Sequence, residues 1–147
     1  MGDMLLLAAI PVGLAATALI VTANLPGPLR GVWVYAQLAL MTGIYLGFAI
    51  AAIDPQALIM KPSLTVLALE SLAALAFLVL GLAALQSRRL WLLGALVLAH
   101  GGVDLLHLVL ETGYSLAWYA YQCAIYDAVL GAGVIWLFTG PAKTEDG

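Results

Sequence analysis

Charge is what this sequence has least of. Only 9% of its 147 residues are Asp, Glu, Lys or Arg, where an ordinary soluble domain carries about 25%. The basic residues number five: Arg30, Lys61, Arg88, Arg89 and Lys143. None lies inside a long apolar run, which excludes a retinal-type Schiff base within a helix and leaves no basic patch for nucleic acid. A single cysteine, Cys123, excludes a disulfide within the chain and leaves the redox compartment unreadable.

What is abundant is apolar side chain, at 65% of the residues. A chain so composed cannot cover itself with polar surface, so it reads as an integral membrane protein. Each crossing of a bilayer core of roughly 30 Å takes about 20 residues. Five apolar blocks fit: Leu5–Ala23, Val32–Ile53, Leu64–Leu85, Leu90–Leu110 and Leu116–Phe138. Turn formers and most of the charge fall between them, in "NLPGPLR", "DPQALIMKPS", "QSRR" and "ETGYS". The expected fold is all-α, a single transmembrane domain over residues 1–147 with five helices. Short connections predict that helices adjacent in sequence are antiparallel neighbours.

The first block is long and follows Asp3 rather than a basic residue, which argues against a cleaved signal peptide. "MGDMLL" also lacks the Ser or Thr of a myristoylation signal. Five crossings put Arg30, Arg88, Arg89 and Lys143 on one side and only Lys61 on the other. The positive-inside rule then predicts an N-terminus outside and a C-terminus in the cytoplasm. Trp33, Trp91 and Trp136 fall near inner ends and Trp118 near an outer end, in keeping with that register.

Against this apolar background, "AHGGVDLLHLVLE" carries His100, Asp104, His107 and Glu111. Residues at i, i+4 and i+7 share one helical face, so the first three form a stripe and Glu111 extends it to the surface. Tyr119, Cys123 and Asp127 form a second stripe on the fifth block, flanked by Gln122 and Tyr126. At 1.5 Å per residue from the outer ends, Glu70, Asp104, His107, Cys123 and Tyr45 lie about 5–12 Å deep, and His100 and Asp127 about 15–16 Å deep. All belong to one slab in the outer half of the membrane. Glu111, Asp54 and Asp3 sit at helix ends and read as solvated charges.

Each charge at the bilayer centre costs roughly 2.5–3.5 kcal/mol on insertion scales, so such groups face the bundle interior and find partners. No Lys or Arg is at hand for Glu70, Asp104 and Asp127. The histidines, protons or a metal ion remain. For zinc or another divalent transition metal, the ligand candidates are Asp104, His107, Glu70 and Cys123. Its nucleus would be Asp104 with His107, or His100 with Asp104, completed by Glu70, Cys123 or Asp127 from other helices. The two histidines stand about 10 Å apart along the axis, too far to grip the same ion. For proton chemistry, a carboxyl beside an imidazole makes an acid/base pair, with His100, Asp104, His107 and Asp127 as catalytic candidates. Cys123 as a nucleophile would need a neighbour that stabilises its thiolate, and the acids around it do the opposite.

Such groups can also serve only as interhelical hydrogen-bond glue, worth about 0.6–2 kcal/mol each. That weighs most for Tyr45, Thr42, Gln122 and Tyr126; the pocket-lining candidates are Tyr45, Tyr119, Gln122 and Tyr126. It weighs least for His100, Asp104, His107 and Asp127, because a neutral Asn or Ser would serve at lower insertion cost. Gly43 and Gly47 in "GIYLG" have small-xxx-small spacing and read as close packing inside the bundle, as do Gly101, Gly102, Gly131 and Gly133. Pro11 is expected to bend the first helix.

"HGGVDLLH" followed by "CAIYD", that is His-x-x-x-Asp-x-x-His and then Cys-x-x-x-Asp, resembles a family of small bacterial multi-pass membrane proteins of unknown function. The likeness rests on His100, Asp104, His107, Cys123 and Asp127 within residues 90–140. Leu108 and Ala128 depart from it, where the family has a second histidine and often a proline. The resemblance implies a bacterial cytoplasmic membrane and a shared site, and it supplies no activity. The expected function is a metal-dependent or acid/base membrane enzyme, leaning to an isomerase or hydrolase, on a lipid-like or isoprenoid substrate. The alternative is a noncatalytic metal- or proton-handling membrane protein, a transporter or a subunit of a larger complex. Membrane lipids are the expected surroundings, and an oligomer is compatible with the sequence.

Overall fold

The computed structural model describes residues 2–51, 64–110 and 116–140, and among them every regular element is an α-helix. The helices are α1 (Gly2–Asn24), α2 (Gly27–Ala51), α3 (Leu64–Gln86), α4 (Trp91–Val109) and α5 (Ala117–Thr139). Four of them, α2 to α5, are long and apolar enough to cross a membrane. The stretch Ala8–Asn24 of α1 is apolar and shorter. Asp54, Lys61, Glu111 and Lys143 lie outside the described residues, as does the side chain of Asp3.

The helix ends follow from local chemistry. α2 begins at Gly27, five residues before the apolar block at Val32, because Pro28 falls in its first turn, where a missing N–H costs nothing. Only Leu25 and Pro26 separate α1 from α2. The Arg30 guanidinium reaches back over that corner, Nε donating to the Leu25 carbonyl (2.8 Å) and a terminal nitrogen to the Ala23 carbonyl (2.9 Å). Those carbonyls are among the groups a helix C-terminus leaves without partners. α3 ends in a left-handed cap: Arg88 has φ 55°, its N–H bonds the Leu85 carbonyl, and the Arg89 N–H bonds the Ala84 carbonyl. α1 runs unbroken through Pro11.

Each helix buries one narrow stripe. Pro11, Ala15, Ala18 and Thr22 on α1, Val34, Leu38, Thr42, Tyr45 and Ala49 on α2, and Leu93, Val97, His100, Asp104 and His107 on α4 repeat at three- and four-residue steps. The opposite faces are apolar and exposed, Leu64 at 80% and Trp136 at 70% among them. An exterior of that kind fits lipid and not water. The most intimate pair is α4 with α5. A Cβ at Gly94 would stand 2.7 Å from the Gly131 carbonyl oxygen, and one at Gly131 would stand 2.7 Å from that of Gly94. The two backbones therefore touch, and Gly101 meets the Asp127 Cβ further along, so the pair is antiparallel. Tyr35 donates a hydrogen bond to the Leu78 carbonyl (3.2 Å) and ties α2 to α3.

Sequence adjacency does not decide all neighbours. α1 lies chiefly on α5 and only lightly on α2, because its small-residue stripe and Leu19, which covers Gly133, fit the α5 surface. α3 is peripheral and leaves the centre to α4. Gly43 and Gly47 also differ from expectation, since nothing within the described chain lies within 4 Å of a Cβ at either.

Candidate functional site

The regular stripe of α4 is apolar at its start, with Leu93 and Val97, and polar further on, with His100, Asp104 and His107. All three are buried, with relative exposures of 3%, 0% and 9%. α5 presents Asp127, 1% exposed, to the same place. It comes this close because Gly101 offers no side chain to hold it off. His100 Nδ1 and Asp127 Oδ2 share a hydrogen bond of 2.8 Å, and Asp104 Oδ2 is 3.9 Å from the same nitrogen. A ligand atom from each of His100, Asp104 and Asp127 lies within 4.8 Å of the other two.

Both Asp104 carboxylate oxygens and the Tyr45 hydroxyl are buried without a hydrogen-bond partner among the described residues. Leaving such groups unpaired is costly in a dry interior, so the site calls for a proton, a cation or a ligand. His100, Asp104 and Asp127 could together hold a metal ion, which would supply Lewis-acid chemistry there.

His107 stands apart from that group. Its Nε2 is 3.4 Å from Glu70 Oε1 on α3, and Tyr45 stacks on its ring. Of the four residues expected to ligate metal, Asp104 joins the convergent group, His107 and Glu70 meet each other, and Cys123 lines a cleft. The reason is geometric: seven residues turn a helix almost full circle twice but advance it about 10 Å, so His107 reaches α3 where His100 reaches α5. Aromatic rings fill the space between. Tyr45 meets His100 edge-on (5.9 Å between centroids), Phe77 does the same from α3 (5.4 Å), and Phe48 meets Tyr119 (5.3 Å).

Because α1 leans on α5, it leaves a cleft of about 410 Å³ against α2. One wall is apolar, with Pro11, Leu14, Leu40, Met41 and Ile44. The other residues that line it include Tyr119, Gln122, Cys123, Tyr126 and Asp127 from α5, with Tyr45 and His100, and the surface they leave to the cleft is mostly apolar. Gln37, which sequence reasoning passed over, also lines it. The Tyr126 hydroxyl donates to Gln37 Oε1 (2.7 Å), and Gln37 Nε2 is buried with no partner among the described residues. Its one sequence signal was an amide inside an apolar block. Thr42, by contrast, bonds carbonyls of its own helix and links nothing across the bundle.

No family model, no characterised protein and no solved structure matches the chain.

Proposed function

We propose that this chain is a membrane-embedded enzyme that uses a His–Asp centre, acid/base or metal-dependent, on a lipid-like substrate held in the cleft. The observation that carries the reading is the position of His100. One buried imidazole is hydrogen-bonded to Asp127, lies beside Asp104 and lines an apolar cleft. A proton held between His100 and Asp127 can be delivered to, or taken from, a substrate there. A divalent ion on His100, Asp104 and Asp127 would polarise a substrate oxygen at the same place. Isomerisation and hydrolysis are the reaction classes such a centre serves.

On this reading all five helices cross the membrane, a bacterial cytoplasmic membrane in the reading that the His-x-x-x-Asp-x-x-His motif suggests. The N-terminus is outside. Arg30, Arg88 and Arg89 support that orientation, because Gly31 packs against Leu85 and Leu90 and so brings the two arginine-bearing corners to one end of the bundle. A reporter joined after Lys143 that proved external would sink it.

The decisive measurement pairs metal analysis of detergent-purified protein with lipid analysis of membranes. Stoichiometric metal in the wild type, lost in Asp104→Asn and Asp127→Asn, supports the metal form. A lipid species that changes with wild type but not with His100→Gln, without metal, supports the acid/base form. Neither metal nor lipid change removes the reading. A second reading, noncatalytic proton or metal handling, draws on the row of pairs His107–Glu70 and His100–Asp127 on either side of Tyr45. Metal bound without any lipid change favours it.

A further inference from the structure

Trp33 lines two apolar cavities. One is the cleft, and the other is a groove of about 230 Å³ whose remaining walls are Leu25, Leu29, Val32 and Ala36. Along α2 the cleft runs from Trp33 to Tyr45 and the groove from Leu29 to Ala36, so the indole stands where the two meet. Trp33 is 38% exposed and so presents surface to an occupant.

No Lys or Arg lines either cavity. An anionic headgroup in the cleft would meet Asp127 without a fixed counter-charge, which low dielectric makes expensive. Leu14, Leu40, Met41 and Ile44 offer apolar contact to a hydrocarbon chain instead. The reacting end of such a lipid belongs beside His100, which Tyr45 meets edge-on with 5.9 Å between centroids. From Tyr45 down α2 to Trp33 is about 18 Å at 1.5 Å per residue, the reach of an extended tetradecyl chain. Leu29, in the groove, lies about 6 Å further on. An indole is bulky and planar, so a chain that reaches it stops there unless the ring is removed.

We infer that Trp33 sets the chain length of the ligand: the cleft takes a single hydrocarbon chain of about tetradecyl length, its head at His100 and its tail against the Trp33 indole, which closes the groove to it. Trp33 is then a specificity-determining residue. This rests on the cleft being the substrate site of the centre described above.

Straight-chain alkanols from decyl to docosyl, each with a diazirine on the second carbon, test it on the full chain in phosphatidylcholine nanodiscs at equal probe per lipid. In the wild type, labelling of the α5 cleft residues between Tyr119 and Asp127 should peak at tetradecyl and fall about tenfold at octadecyl, the discrimination that methylenes without room command in an apolar pocket. Trp33→Ala should move the peak to octadecyl, because the groove adds about 6 Å. Leu40→Trp places a ring about two turns nearer the centre, at a cleft position that is 67% exposed and accepts it, and should move the peak to decyl. It keeps the test decisive if Trp33→Ala fails to fold. Absence of α5 labelling, labelling independent of chain length, or a peak that both variants leave in place would overturn the inference. Metal content and lipid turnover are read on the same proteins. A peak that moves with Trp33 in protein showing neither upholds the length limit and removes the catalytic reading.

Discussion

The Tyr45 ring lies flat on the His107 imidazole, with 4.7 Å between centroids and 14° between planes. The same ring meets His100 edge-on, so one aromatic side chain from α2 separates the two histidines of α4. Its hydroxyl lies toward the Asp104 carboxyl without closing a hydrogen bond to it. Tyr45→Phe keeps the stack and removes an unpaired polar group, and it should leave stability unchanged or raise it. Tyr45→Leu should cost about 1 kcal/mol beyond any loss of buried area, the worth of an aromatic pair. Unfolding in mixed micelles with increasing SDS measures both. A loss above about 1 kcal/mol in Tyr45→Phe would mean that a ligand or water engages the hydroxyl.

The α4–α5 crossing makes a sharper prediction. A Cβ at Gly131 would lie 2.7 Å from the Gly94 carbonyl oxygen and 2.9 Å from the Leu98 nitrogen, both backbone atoms that cannot rotate away. Gly131→Ala should therefore destabilise by about 1–3 kcal/mol, the usual cost of overpacking. Gly43→Ala and Gly47→Ala, with open space at both positions, should be neutral or slightly stabilising through helix propensity. The same SDS titration of all three variants decides. Destabilisation at Gly43 or Gly47 would show that something beyond the described residues packs there.

The five helices were legible because lipid demands long apolar runs, and such runs survive in the sequence as blocks. Their neighbours were less so. Which helix α1 joins depends on how Leu19 fits over Gly133 and how Ala15 and Ala18 bury, and chain order says nothing of that. His100, Asp104 and Asp127 were expected in one slab, but the division of labour on α4, with His107 turned to Glu70, depends on the axial offset between partners on α3 and α5. Gln37 was passed over because the cleft exists only where α1 fails to cover α2. "NLPGPLR" reads as a loop by its prolines, yet it is mostly helix, since Pro28 is harmless in a first turn.

At the end of the bundle that carries the arginines, Arg88 holds φ 55°, a conformation that suits glycine and strains a residue with a Cβ. Arg88→Gly should stabilise the chain by about 1 kcal/mol by relieving the strain at the α3 cap. Arg30→Ala should do the reverse, by about 1 kcal/mol, because it strips two charge-assisted hydrogen bonds from the Ala23 and Leu25 carbonyls. Arg30→Lys should recover only part, since an ammonium lacks the fork that spans both oxygens. Thermal unfolding in detergent, with the four proteins side by side, tests the order: Arg88→Gly above wild type, then Arg30→Lys, then Arg30→Ala.

Asp104 separates a centre built to bind from one built to hold helices together. Its carboxyl is fully buried, and neither oxygen has a hydrogen-bond partner among the described residues. In protein stripped with chelator, Asp104→Asn should be at least as stable as wild type, because a buried acid that makes no hydrogen bond, with its nearest imidazole nitrogen at 3.9 Å, is replaced by a neutral group of the same shape. Added zinc should reverse the order. Wild type gains by mass action, about 2.7 kcal/mol at a free zinc concentration 100 times the dissociation constant, and the variant gains much less. His107→Ala, outside the convergent group, should keep most of the zinc-dependent gain. Melting temperatures of the three proteins with chelator and with zinc read this directly. A wild type that zinc leaves unmoved, and that stays below Asp104→Asn, would remove zinc from this centre.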